Sequence, residues 1–164
     1  EDSIAPGVKF PSITRNLRAV NPNPKITIRT FCYPDDFSAV RQLWENAGPG
    51  IQLRRSDEAE EIEKKTRHDP DLFLVAEREG KLVGSVIGGY DGRRGLIYHL
   101  AVDPTVRKEG IGRMLMDAVE ERLKGKGCIR CYLLVTKDNE YAMRFYENLD
   151  WKRMDNVYVY GKEL

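Results

Sequence analysis

Apolar and polar residues alternate over Ile26–Phe31, which is the pattern of a strand with one buried face. Pro34 and Asp35 then open a segment whose apolar residues recur at helical spacing, and the run Gly48–Gly50 ends it. The apolar face of this helix consists of Phe37, Val40, Leu43 and Trp44. The pattern therefore predicts a strand followed by an amphipathic helix.

A second helix is predicted to begin at Ser56 or Asp57, because Asp57 and Glu60 have the spacing of a capping box. Its apolar stripe is thin, with Ala59 and Ile62 as its main members. Its first turns are acidic, as suits the positive end of a helix dipole. The acids are Asp57, Glu58, Glu60, Glu61 and Glu63. Such a run is usually a solvated face, and attraction of a cationic substrate is the alternative.

Three further strands and two helices are predicted. Segments 71–79 and 81–90 are joined by a short turn at Gly80, which indicates an antiparallel hairpin, and a strand over 96–102 follows a second turn. A long helix then ends at Gly125 and Gly127, so the strand Ile129–Val135 should run parallel to 96–102. A helix over Asn139–Leu149 and one or two strands over 151–160 complete the pattern. The prediction is an α/β fold of the α+β type, with a mixed sheet of about six to seven strands and about four helices.

Composition separates residues 1–25 from the rest of the chain. This segment is rich in proline and basic residues and has no helical or strand period, so we predict an N-terminal extension, flexible or lying on the surface, before one domain over 26–164. The chain of 164 residues has a net charge of +1 and no apolar run that could span a bilayer. We therefore expect no nucleic-acid and no membrane partner. Nucleic-acid binding through the basic extension is an alternative.

The cysteines argue against metal and for a cytoplasmic protein. The chain has 3 of them, an odd number at low density, as expected in a reducing compartment. Cys128 and Cys131 have no second pair to complete a zinc site, and two residues three apart on a strand face opposite sides. We expect no metal.

The stretch 100–116 has the sequence of a phosphate-binding turn: an apolar strand, a loop with glycines and the start of a helix. A dinucleotide-binding turn would need glycine at Leu115, and a triphosphate loop would need Lys and Ser or Thr directly after Gly112. What remains is the spacing Arg107-x-x-Gly110-x-Gly112, which resembles the acyl-coenzyme A pyrophosphate motif of the GNAT superfamily of N-acetyltransferases.

A second motif gives the same resemblance. The run Asn139–Trp151 is similar to the GNAT signature Asn-x-x-Ala-x-x-Phe/Leu-Tyr-x-x-x-Gly-Phe, with Asp150 at the glycine position, where Asp tolerates the left-handed backbone better than most residues. The order of elements over 26–164 also matches that family. The stretch 68–104 resembles an uncharacterised bacterial subgroup, and the ribosomal-protein N-terminal acetyltransferases are more distant relatives.

The resemblance implies a site for acetyl-coenzyme A. Backbone groups of the strand would hydrogen-bond the pantetheine arm, N–H groups of the loop would hold the pyrophosphate, and Asn139 would reach the pantetheine amides. The implied coenzyme-binding residues are Leu100, Ala101, Val102, Arg107, Lys108, Glu109, Gly110, Ile111, Gly112, Arg113, Asn139 and Tyr146. Tyr146 is the implied catalytic residue, since the matching tyrosine of the family hydrogen-bonds the coenzyme sulfur and is proposed to protonate the departing thiolate.

The residue that accepts a proton from the amine is not fixed by these motifs. The ribosomal-protein relatives carry a glutamate where this chain has Leu134, so that base cannot be transferred to this sequence. Tyr98 and His99 are the candidates, and neighbouring strand residues face opposite sides, so at most one should point at the thioester.

The sequence thus predicts an acetyl-CoA-dependent N-acetyltransferase that moves acetyl to a primary amine of a protein, peptide or small molecule by direct attack. A catalytically weak coenzyme A sensor or interaction module is the alternative. A homodimer is left open.

Overall fold

The structure is a computed structural model that describes residues 24–164. Residues 1–23 of the predicted extension therefore lie outside the described residues. The strands are β1 (Ile26–Thr30), β2 (Phe73–Arg78), β3 (Lys81–Tyr90), β4 (Gly95–Val102) and β5 (Cys131–Leu133). The helices are α1 (Phe37–Asn46), α2 (Ala59–His68), α3 (Ile111–Gly125) and α4 (Glu140–Glu147).

The strands form one mixed sheet in the order β1-β2-β3-β4-β5. Pairs from β1 to β4 are antiparallel, and β5 runs parallel to β4, which confirms the predicted crossover through α3. Within residues 24–164 the sheet has five strands, so the prediction of six to seven was wrong.

The predicted strands over 151–160 are the ones that do not form. Residues 157–160 alternate in the way a strand does, yet they pair with no edge and are exposed, Tyr158 at 86%. The edge strand β5 itself pairs only over Cys131–Leu133. An alternating sequence becomes a strand only when a neighbouring strand meets it, because strand preference depends strongly on context.

Helices cover both faces of the sheet, and the alternation along β2 shows how. Leu72, Leu74 and Ala76 belong to the buried cluster under α3, whereas Phe73 and Val75 belong to the cluster under α1. Both faces are buried because successive side chains of a strand point to opposite sides. On the α1 side the predicted apolar face holds, with Val40, Leu43 and Trp44 buried.

The predicted start of the second helix was wrong. Arg55–Asp57 form a separate short 3₁₀ turn, and α2 begins at Ala59. Asp57 is buried and its carboxylate accepts a hydrogen bond from the Arg54 backbone N–H at 2.8 Å, so it closes the 3₁₀ turn instead of capping α2. In the described part of the chain, no helix is long and apolar enough to cross a bilayer.

Candidate active site

A cavity of about 840 Å³ opens where β4 and β5 separate. The two parallel strands pair only where Gly95–Ile97 lie beside Cys131–Leu133. Beyond this point β4 continues to Val102 and is paired on one side only, with β3. Residues 98–102 and 133–136 line opposite walls of the opening. The backbone amides of β4 that face it can therefore bind an extended ligand in the manner of an added strand.

The start of α3 and the loop before it form a turn that could hold an anion. Gly110 precedes the helix with φ 82°, in the left-handed region that glycine adopts freely, and Lys108 has φ 64°. A Cβ on Gly110 would meet nothing within 4 Å. The first N–H groups of α3 have no partner within the helix and carry its positive dipole end, as an anion site needs.

Every residue predicted to bind the coenzyme lines this cavity except Glu109. The Glu109 carboxylate instead forms an ion pair with Arg78, at the end of β2. This pair neutralises a negative charge beside the turn, where a diphosphate would otherwise be repelled.

Arg107 lines the cavity, but its guanidinium is held by protein carbonyls. Nη2 donates to the Ala47 carbonyl at 2.5 Å, and Nε donates to the Val102 carbonyl at 3.4 Å. These bonds tie the turn to the end of α1. Lys108 and Arg113 are also exposed at the cavity wall, and no protein carbonyl among the described residues holds their side chains.

Gly112 serves packing between helices. A Cβ at this position would lie 3.1 Å from Cζ of Phe145 in α4, which is tighter than an ordinary contact. Asn139 caps α4, with Oδ1 accepting from the Ala142 N–H at 3.0 Å, and its amide nitrogen faces Gly50 across the cavity mouth. The side chain of Asn139 thus both caps α4 and faces the cavity.

Tyr146 lies in α4 among aromatic rings and faces the cavity. Its ring packs edge-on against Phe145 at 5.2 Å and against Trp151 at 6.3 Å between centroids. Burial raises the pKa of Tyr146 to about 12. The hydroxyl is therefore a hydrogen-bond donor at every pH at which the fold would work.

A bulge in β4 overturns the expectation that Tyr98 and His99 face opposite sides. Tyr98 pairs with Ile87 and Ala101 with Ser85, so two residues of β4 stand opposite one of β3, and His99 has φ 52°. Both side chains consequently line the same cavity, with ring centroids 5.7 Å apart. Glycine and turn signals are absent here, so the alternation rule gave no warning of the bulge.

His99 is joined to Asp57, a functional candidate that the sequence analysis treated as part of an acidic helix start. Nε2 of His99 lies 2.7 Å from Oδ1 of Asp57. Trp44 packs edge-on against the imidazole at 5.0 Å, and its indole N–H donates to Ser85 Oγ at 3.0 Å. The two ends of this contact are 42 residues apart in sequence, which no local pattern can predict.

Cysteines and metal ligands contribute little to the site. The described cysteines are free thiols, and burial, more than the nearby Glu120 carboxylate, raises the pKa of Cys131 to about 11. Residues 24–164 contain no group of three or more His, Cys, Asp or Glu side chains that could hold a metal ion.

Comparison with known proteins decides the family. The model of the Acetyltransferase (GNAT) family matches residues 37–151, a span that includes both the turn before α3 and all of α4. The chain belongs to the GNAT family. An acetyltransferase from Sodalis glossinidius is 44% identical over 137 residues, covering 84% of this chain and 94% of that protein. This GNAT protein is accordingly an acyltransferase.

Solved GNAT structures share the fold. A PaiA N-acetyltransferase from Thermoplasma acidophilum in complex with coenzyme A superposes with a TM-score of 0.71 at 21% identity, over 81% of this chain and 93% of that one. The ribosomal-protein-S18-alanine N-acetyltransferase from Escherichia coli superposes with a TM-score of 0.63 at 21% identity, over 76% of each chain. The bacterial and the more distant ribosomal-protein resemblances are both confirmed.

Proposed function

We propose that this GNAT enzyme transfers acetyl from acetyl-CoA to a primary amine by direct attack on the thioester. The observation that carries the proposal is one cavity that combines the turn before α3, the unpaired stretch of β4 and the hydroxyl of Tyr146. The diphosphate would lie on the first N–H groups of α3, with Lys108 and Arg113 beside it. The pantetheine arm would follow Leu100–Val102 toward Asn139.

Tyr146 supports the departure of the sulfur as a hydrogen-bond donor. With its pKa near 12, giving its proton to an ordinary thiolate with a conjugate-acid pKa near 8.5 would cost about 5 kcal/mol. Stabilisation of the developing negative charge needs no such transfer. We therefore assign Tyr146 to thiolate stabilisation.

The acceptor is an amine whose ammonium form loses its proton at a modest cost in free energy. At pH 7 an α-amine loses its proton for about 1 kcal/mol, whereas a lysine side chain needs roughly 4 to 5 kcal/mol. Protein or peptide amines and small-molecule amines are both candidates, because the cavity is open on the side lined by residues of the segment 47–54 that follows α1. A sensor that only binds coenzyme A is the less favoured function, since Asn139 and Tyr146 both face the cavity.

The test is release of free thiol from acetyl-CoA in the presence of a panel of amines, with the mass of the acetylated product as confirmation. We expect turnover that depends on the amine. Thermal unfolding with added coenzyme A measures binding separately from turnover. The variant Gly110→Val should lose the stabilisation by coenzyme A. Binding without turnover on any amine would favour the sensor.

A further inference from the structure

The carboxylate of Asp57 holds the imidazole of His99 in one orientation. The Asp57 side chain is 6% exposed, and its oxygens accept from the Arg54 N–H at 2.8 Å and contact His99 Nε2 at 2.7 Å. An ionised carboxylate only accepts hydrogen bonds, so Nε2 must carry the hydrogen. In the neutral ring Nδ1 then holds a free lone pair.

The surroundings of the ring leave that lone pair available on the cavity side. In the part of the chain that the structure describes, Asp57 is the one side chain within hydrogen-bond distance of the imidazole. Trp44 and the bulge fix the position of the ring, and His99 remains 17% exposed at the cavity wall. The imidazole is thus placed and oriented without being sealed from a ligand.

Few other charged or titratable groups face His99. From α1, Arg41 donates to the Asp57 backbone carbonyl at 3.3 Å. Tyr98 follows on β4, where burial first, and then the carboxylates of Asp69 and Asp57, raise its pKa to about 12. Tyr146 lies on the cavity wall formed by α4. Neither phenol can take up a proton near neutral pH, which leaves the imidazole as the acceptor among them.

We propose that Nδ1 of His99 is the general base for the acceptor amine and that Asp57 is its positioning residue. The inference rests on the proposed function. The acceptor ammonium gives one proton to Nδ1, and the freed lone pair on nitrogen forms the C–N bond to the acetyl carbon. The C–S bond breaks with its electron pair on sulfur. The second nitrogen proton, acidic once the amide forms, ends on the thiolate, and imidazolium returns its proton to water.

Kinetics on the full chain test the base with the fastest amine of the panel. We expect His99→Gln to lower kcat/KM for the amine by about 100-fold, in the range of general-base contributions, with KM for acetyl-CoA little changed. The fall of kcat/KM toward acidic pH should disappear in the same variant. His68→Gln removes the one other histidine of the chain, which is exposed, and should keep both the rate and the fall toward acidic pH.

Asp57→Asn tests positioning, because an amide can hold either ring tautomer. We expect a loss of at least about tenfold in kcat/KM. Nitrogen-15 NMR of histidine-labelled protein should show the Nε2–H tautomer for His99 in the wild type and a mixture in Asp57→Asn. This spectrum needs no acceptor and does not change with fold stability alone.

The outcomes separate the two proposals. Wild-type kcat/KM in His99→Gln, or an Nδ1–H tautomer in the wild type, would overturn the role of His99 and leave acetyl transfer standing. A wild type that binds acetyl-CoA but acetylates no amine would overturn both.

Discussion

Tyr146 keeps its proton throughout the pH range in which the fold would work, because burial among aromatic rings raises its pKa to about 12. In the proposed reaction it therefore acts as a hydrogen-bond donor to the sulfur. The hydroxyl can be removed without disturbing the packing of the ring against Phe145 and Trp151.

Tyr146→Phe is expected to lower kcat by about 10- to 100-fold, the size of one lost hydrogen bond to a developing charge, with KM for acetyl-CoA nearly unchanged. Steady-state thiol release measures both constants. Tyr158→Phe is the control, since that ring is 86% exposed on the segment after α4. A Tyr146→Phe enzyme as fast as the wild type would remove the hydroxyl from the mechanism.

That the residues of the proposed coenzyme site, Glu109 excepted, lie in one cavity could be predicted from sequence, because the motifs depend on local chemistry. Gly110 needs a left-handed backbone and Asn139 caps a helix, and both requirements are visible in neighbouring residues. The contact between Asp57 and His99 depends on how a 3₁₀ turn and a strand approach each other in three dimensions. Sequence spacing carries no information about that approach.

Between elements, Gly112 sets how closely α4 can approach the start of α3. A methyl group there would lie 3.1 Å from Cζ and 3.3 Å from Cε2 of Phe145. The expected close approach of backbone to phosphate at this glycine is thus accompanied by a helix contact that the motif alone does not reveal. Because α4 carries Tyr146, the contact also positions the hydroxyl proposed to act in catalysis.

Gly112→Ala should destabilise the fold by about 1 to 3 kcal/mol, as overpacking does, and displace α4. Urea unfolding measures the loss. Gly125→Ala is the matched control at the other end of α3, where a Cβ meets nothing within 4 Å, and it should be neutral or stabilising by up to about 1 kcal/mol. Adding Phe145→Leu to Gly112→Ala should restore part of the loss. Equal stabilities for the two alanine variants would contradict this account.

Elements were predicted well where they are long and regular. β3 spans 81–90 as predicted from the short turn at Gly80, and α3 ends at the predicted glycine, Gly125. The segment 151–160 has a strand pattern too, but its pairing depends on an edge that β5 offers over only three residues. Hydrophobic periodicity predicts which face of a segment is apolar, not whether a neighbour exists to pair with it.

For the whole molecule, the phenols of Tyr98 and Tyr146 link stability to alkaline pH. The pKa values of Tyr98 and Tyr146 are raised to about 12, above the value near 10 of an unfolded chain. The unfolded state therefore loses these protons first as the pH rises. The stabilisation is complete below about pH 10 and is lost progressively toward about pH 12.

Urea unfolding at a series of alkaline pH values measures this dependence. We expect Tyr146→Phe to make the decline shallower, and Tyr98→Phe to do so to a smaller degree because its ring is partly exposed. Tyr158→Phe should leave the slope as it is, since water surrounds that ring in both states. A decline of the same steepness in every variant would show that other groups govern alkaline unfolding.

The extra residue that interrupts β4 at His99 also limits how this site could be altered. Removing Leu100 would restore regular alternation and leave Ile97 and Ala101 on the faces they have now, but His99 would then stand opposite Val86, on the other side of the sheet. After this deletion the imidazole of His99 would point into the core beneath α3. Removing Leu100 is therefore expected to separate the imidazole from Asp57 while the rest of the sheet keeps its register.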